Sequence, residues 1–156
     1  MIIYNYNAHN VKQTLQLANL FVQECLLNRF NLNKQCVVIY LIGDLGVGKT
    51  TFMRGLVSSF GFKGAVKSPT YTIVEPYLDL IDPMIHLYHF DLYRLDQPSD
   101  LEMIGIRDYL QAGTICCFEW PDKGVGHIPQ PNFIVRISII NKHIRSICIS
   151  KEYEAN

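Results

Sequence analysis

The run Gly43-Asp44-Leu45-Gly46-Val47-Gly48-Lys49-Thr50, followed by Thr51, fills the spacing G-x-x-x-x-G-K-[ST] without a gap. Glycines at these intervals let successive backbone N–H groups turn inward onto phosphate oxygens, and a helix starting there adds the positive end of its dipole. In such a loop Lys49 reaches the β- and γ-phosphates, and the Thr50 hydroxyl serves a Mg²⁺ that bridges them. The chemistry implied is the binding of ATP or a similar triphosphate and attack on its terminal phosphate. Two tasks are left over: the metal needs a second anionic anchor, and the attacking water must be positioned. Asp91 and Glu119, each closing an apolar run, compete for these roles. The competing reading is that they only solvate strand ends or cap helices.

For the loop to work, a buried strand must deliver it and an amphipathic helix must leave it. Cys36-Val37-Val38-Ile39-Tyr40-Leu41-Ile42 is a continuous apolar run of the kind buried on both faces of a parallel sheet. Phe52, Met53, Leu56, Val57 and Phe60 recur at helical spacing, and Gly61 stands where a helix ends. Further strands are expected at residues 2–6, at Ile85–Asp91 and at Thr114–Trp120. Val11, Leu15, Ala18, Val22 and Cys25 predict a helix from about residue 11 to 29. Ser99 and Glu102 have the spacing of a capping box, and residues 132–140 and 144–149 flank a turn-like Asn141-Lys142-His143. The pattern is α/β: a P-loop NTPase fold with a mixed, mostly parallel sheet flanked by helices, in a single domain over residues 1–156 whose tail frays from about 151.

Composition narrows the partners. The chain has 156 residues, 49% of them hydrophobic, enough for one sizeable core. Lys and Arg total 14 against 14 Asp and Glu, so no global field draws the protein onto nucleic acid or an anionic membrane. Arg54, Lys63 and Lys67 read as a solvated face rather than an RNA contact. Five cysteines, without a CxxC pair, read as buried thiols in a reducing compartment. With neither a signal-like N-terminus nor a bilayer-length apolar run, the expectation is a complete cytoplasmic protein with no membrane association. His86 and His89, read as sharing one strand face, suggest a metal pair, but lacking a third ligand they are expected to be structural.

Three blocks together carry a resemblance to the TsaE family, bacterial ATPases of tRNA threonylcarbamoyladenosine formation. They are the loop Gly43 to Thr51; Lys67-Ser68-Pro69-Thr70-Tyr71-Thr72 with Glu75-Pro76-Tyr77; and His89-Phe90-Asp91-Leu92-Tyr93-Arg94 with Glu119-Trp120-Pro121. The resemblance covers about residues 36–127. It implies that Lys49 and the amides of residues 44–51 hold the phosphates, that Thr50 and Glu119 hold Mg²⁺, and that Asp91 serves the water or its hydrogen-bond network. Ser68-Pro69-Thr70 would be a switch segment sensing the terminal phosphate, or else an ordinary turn entering a strand. Trp120 would shield the site or plug the sheet end. The resemblance further implies weak ATP hydrolysis by the chain alone and binding to a TsaB–TsaD complex, which hydrolysis resets. Contact with tRNA would be indirect, through that complex. The residues also leave room for a small-molecule kinase, although no Arg-rich lid is visible, and for a nucleotide-dependent binding switch, although the Asn-Lys-x-Asp guanine signature is absent.

Overall fold

The strand that delivers the loop is β2, Val37–Ile42, and its residues alternate between two buried faces of a sheet. A computed structural model of the protein describes residues 1–28 and 32–152. Among the described residues, seven strands form one mixed sheet: β1 (Ile2–Ala8), β2, β3 (Val74–Tyr77), β4 (His86–Asp91), β5 (Thr114–Glu119), β6 (Phe133–Ile139) and β7 (Arg145–Lys151), in the spatial order β1-β7-β6-β2-β5-β4-β3. The central strands β6, β2, β5 and β4 run parallel, while β3 and β7 run antiparallel to their neighbours.

Register decides where the chemistry lies. Leu41 pairs with Glu119, and Asp91 pairs with Glu119, so the C-terminal ends of β2, β4 and β5 form one edge. Gly43 follows directly from β2 at that edge. Open parallel sheets bind ligands at such edges, beyond the carboxyl ends of their strands.

Two helices cover one face: α1 (Val11–Phe21), continued by a π-helical turn Val22–Leu27, and α2 (Lys49–Ser59). Phe21 anchors them. Its ring lies edge-on to Phe133 of β6 at 5.1 Å between centroids and 6.2 Å from Phe52 of α2. The opposite face, with Val38, Phe90, Cys116 and Phe118, is covered by Leu101 of α3 (Asp100–Met103), Ile106 of α4 (Ile106–Tyr109) and the loop residues Leu92, Leu95 and Ile128. No helix among the described residues is long and apolar enough to cross a membrane.

Several expectations shift. The buried stripe of α1 runs through Thr14, Leu17, Ala18 and Phe21, leaving Val11 exposed, because contact with both β6 and α2 needs a broader face than the five-residue stripe supplies. The helical conformation continues to Leu27, and Arg29 lies outside the described residues. No capping box forms: Ser99 is itself helical, and Asp100 accepts from the Gln97 N–H instead. Glu102 turns to His127 and Arg107, whose hydrogen bonds hold its carboxyl below the usual range. Lys151 belongs to β7 and donates its N–H to Met1, and Glu152 donates to Asn132, so fraying does not begin at 151; residues 153–156 lie outside the described residues. Cys25, Cys116 and Cys117 are buried as expected, but Cys36 and Cys148 are only half-buried. The Sγ atoms of Cys36 and Cys116 are 4.0 Å apart, about twice a disulfide's length. Strand β3, with Pro76 inside it, was not assigned from sequence; a proline is accommodated because β3 is the sheet's edge.

Phe21→Ala removes the ring shared by α1, α2 and β6, and is expected to cost about 3–5 kcal/mol. Urea unfolding followed by circular dichroism measures it; a loss below about 1 kcal/mol would contradict the packing described.

Candidate functional site

Residues 43–48 form a loop that turns back over the end of β2 and enters α2 at Lys49. Gly43 is required by contact: a Cβ there would stand 2.4 Å from the Ile137 carbonyl oxygen and 2.8 Å from Val47 Cγ1. The first helical bond of α2 runs from the Phe52 N–H to the Gly48 carbonyl at 3.0 Å. The N–H groups of Lys49, Thr50 and Thr51 precede that bond, so they are the unsatisfied donors of a helix N-terminus and are available to an anion.

Lys49 is only 5% exposed. Its ammonium donates to the carbonyls of Gly43 at 2.7 Å and Asp44 at 3.0 Å, stands 3.7 Å from Glu119 Oε2 and lies 4.9 Å from the centre of the Trp120 ring. A buried cation needs such compensation, because a charge taken out of water without partners is costly.

Glu119, 3% exposed, ends β5. Its second oxygen, Oε1, meets His89 Nε2 at 2.8 Å, and His89 is fully buried with no partner at Nδ1 among the described residues. His86 and His89 do not share a face as expected from sequence: three residues apart on a strand they must point to opposite sides, and His86 stacks edge-on with Tyr88 instead. The informative spacing was His89 with Asp91, two apart and so on the same face as Glu119. Among the described residues no cluster of three or more His, Cys, Asp or Glu side chains could hold a metal ion by itself.

Asp91, 3% exposed, is committed to its neighbours. Oδ2 accepts from Ser68 Oγ and Thr70 Oγ1, both at 2.8 Å, and Oδ1 accepts from the Tyr93 N–H at 3.0 Å. The Ser68-Pro69-Thr70 segment is thereby tied to the end of β4. Ile73 closes that segment at φ 67°, and Trp120 follows Glu119 at φ 55°. Non-glycine residues in this region cost about 1–3 kcal/mol each, so the backbone is strained beside both acids.

Lys49, Thr50, Ser68, Asp91, Glu119 and Trp120 line one cleft of about 420 Å³, together with Gly46, Gly48 and Thr51 of the loop. Leu45 also lines it, and Asp44 contributes its carbonyl to Lys49. Val47 is buried under the loop and faces a second cleft of about 440 Å³, between the loop, the start of α1 and the β6–β7 turn. Sequence reasoning did not locate that cleft. Arg54, Lys63 and Lys67 are exposed and line neither cleft, as a solvated face would. The geometry provides anion donors, a buried cation and two hard oxygen donors in one place.

Comparison with known proteins identifies the family. A model of the family described as "Threonylcarbamoyl adenosine biosynthesis protein TsaE" matches residues 8–147. The chain belongs to the TsaE family. It is similar to a protein of Haemophilus influenzae named tRNA threonylcarbamoyladenosine biosynthesis protein TsaE, with 50% identity over 104 residues, 67% of this chain and 64% of that one. The matched stretch thus spans just under two thirds of that relative. A TsaE of Bacillus subtilis is 35% identical over 120 residues, covering 75% of this chain and 73% of its own, and one of Rickettsia typhi is 31% identical over 149 residues, 94% of each chain. A crystal structure of Bacillus subtilis YdiB superposes with a TM-score of 0.70 and 27% identity, over 97% of this chain and 87% of that one. The family match runs into β7, beyond the stretch of about residues 36–127 that carries the sequence blocks.

Asp91→Ala removes the acceptor of two hydroxyls on the 68–70 segment. Amide exchange of residues 68–73 is expected to rise at least tenfold, with α2 unchanged, when followed by mass spectrometry; unchanged exchange would mean the segment is held by other contacts.

Proposed function

We propose that this chain is a Mg²⁺-dependent ATPase serving formation of the threonylcarbamoyl modification on the tRNA adenosine beside the anticodon. The observation that carries this is the convergence on one cleft of Lys49, Glu119, Thr50 and the free N–H groups of the α2 N-terminus. Lys49, now resting on the Gly43 and Asp44 carbonyls, would shift to the β- and γ-phosphates. Loop amides from Gly43 to Thr51 would hold the remaining phosphate oxygens.

Thr50 and Glu119 offer the hydroxyl and carboxylate oxygens that suit Mg²⁺, an ion ordinarily held by one or two such groups together with substrate phosphates. When bound, Mg²⁺ supplies neutralisation of the charge that develops as the terminal bond breaks. His89, bonded to Oε1, would keep the Glu119 carboxylate turned so that Oε2 faces the cleft. Asp91 would act through Ser68 and Thr70, the hydrogen-bond-network half of its expected role, so that a terminal phosphate meeting those hydroxyls is felt at the end of β4. The second cleft, beside Gly46 to Gly48, would take the nucleoside.

The partner reading rests on family membership: the chain would bind a TsaB–TsaD complex in the cytoplasm and reset it by hydrolysis, meeting tRNA through that complex. The neutral charge balance supports action through partners rather than direct capture of RNA.

Lys49→Ala is expected to abolish turnover and weaken nucleotide binding at least tenfold in a Trp120 fluorescence titration; retained hydrolysis would take Lys49 out of the site. Glu119→Ala should raise the Mg²⁺ needed for turnover more than it weakens metal-free nucleotide binding. Titration with ATP and GTP in parallel separates the ATPase from a guanine-nucleotide switch, and release of free phosphate rather than a phosphorylated metabolite separates it from a kinase.

A further inference from the structure

Arg145 opens β7, and its guanidinium reaches across to the phosphate loop 98 residues earlier in the chain. Nε donates to the Val47 carbonyl at 3.2 Å, while Nη1 faces the carbonyls of Asn141 at 3.1 Å, Ile144 at 3.4 Å and Lys142 at 3.5 Å. The side chain is half-buried, and among the described residues it forms no ion pair with a carboxylate. Nε and Nη1 bond backbone oxygens of two segments, the loop and the β6–β7 turn.

The Val47 carbonyl belongs to the peptide that also carries the Gly48 N–H. In a trans peptide these two groups point in opposite directions, and no cis bond is present among the described residues. Holding the carbonyl toward Arg145 therefore turns the Gly48 N–H away from it. No protein acceptor receives that N–H among the described residues. Among the described residues no other hydrogen bond is recorded on this peptide. The Val47 N–H is taken up by Asp44 at 3.3 Å, but Gly48 sits at φ 120°, where the missing Cβ makes a peptide flip inexpensive. A flipped peptide would present a carbonyl oxygen where an anion is to bind.

We propose that Arg145 is a positioning residue for phosphate binding: it pins the Val47–Gly48 peptide in the orientation that offers the Gly48 N–H to the nucleotide. The inference rests on the nucleotide-binding reading above, and its test separates the two.

The experiment uses the full chain, ¹⁵N-labelled, as the parent protein and as Arg145→Ala and Arg145→Lys. ATP affinity is read from Trp120 fluorescence, nucleotide-free stability from thermal unfolding, and peptide orientation from the Gly48 amide resonance without nucleotide. Both variants are expected to bind ATP about tenfold or more weakly, the usual scale for loss of a charge-assisted hydrogen bond. Lysine should fail as alanine does, because an ammonium on a flexible stem lacks the planar fork that spans both sets of carbonyls. The Gly48 resonance should move in both variants, and millimolar free guanidinium should restore part of the affinity of Arg145→Ala alone. ATP binding by Arg145→Lys within twofold of the parent would overturn the proposal, since charge rather than the pinned peptide would then be responsible. A Gly48 resonance unmoved in both variants would overturn it as well, even if affinity fell. If Arg145→Ala does not fold, Arg145→Lys decides by the same two readings. If the parent binds no ATP, the ATPase reading fails, and the Gly48 resonance still decides whether Arg145 orients the peptide.

Discussion

A lysine ammonium buried at the end of a β-strand is the constraint around which this molecule is arranged. Lys49 is paired with Glu119 and bonded to the carbonyls of its own loop, and Trp120 lies alongside. Removing one partner of a buried pair leaves a charge without compensation, and that is far more costly than the pair's net contribution. The glutamate is therefore held in turn by a fully buried histidine, and the histidine by its place in β4. Under the proposed function this compensation is exchangeable, a phosphate replacing the loop carbonyls as the partner of the ammonium.

That chain of support requires three strands to end together. Parallel pairing of β2, β5 and β4 places the loop, Glu119 and Asp91 at one edge, and a slip of one residue in β5 would turn Glu119 to the opposite face. Register is protected by the two buried faces. Ile39, Leu41, Ile115 and Cys117 meet α1 and α2, whereas Val38, Cys116 and Phe118 meet α3, α4 and the loops beside them. The same alternation that fills the core therefore aims the acids.

Much of this was legible in the chain. The glycine loop, the buried strand before it, the helix after it and the two acids at strand ends were each visible as local patterns, since each is set by residues within a few positions of one another. Other features depended on the tertiary structure. Local patterns were over-read where tertiary contacts offered something better: Ser99 and Glu102 match a capping box, yet Glu102 meets His127 and Arg107. His86 and His89, three apart on β4, point to opposite faces, and it is His89 that shares a face with Asp91 and meets Glu119. Strand β3 escaped because a short edge strand containing proline has little periodicity to display.

The amino-acid sequence by itself determined a glycine-rich loop with the spacing G-x-x-x-x-G-K-[ST], two acids closing apolar runs and an α/β alternation to carry them. Tertiary structure alone decided that His89 holds Glu119 across 30 residues, that Asp91 secures Ser68 across 23, and that Arg145 reaches Val47 across 98. The physical reason is that glycine turns and amphipathic periods act between near neighbours, and so leave a readable imprint. A hydrogen bond between strands depends on register and sheet order, which are settled only when the whole core closes.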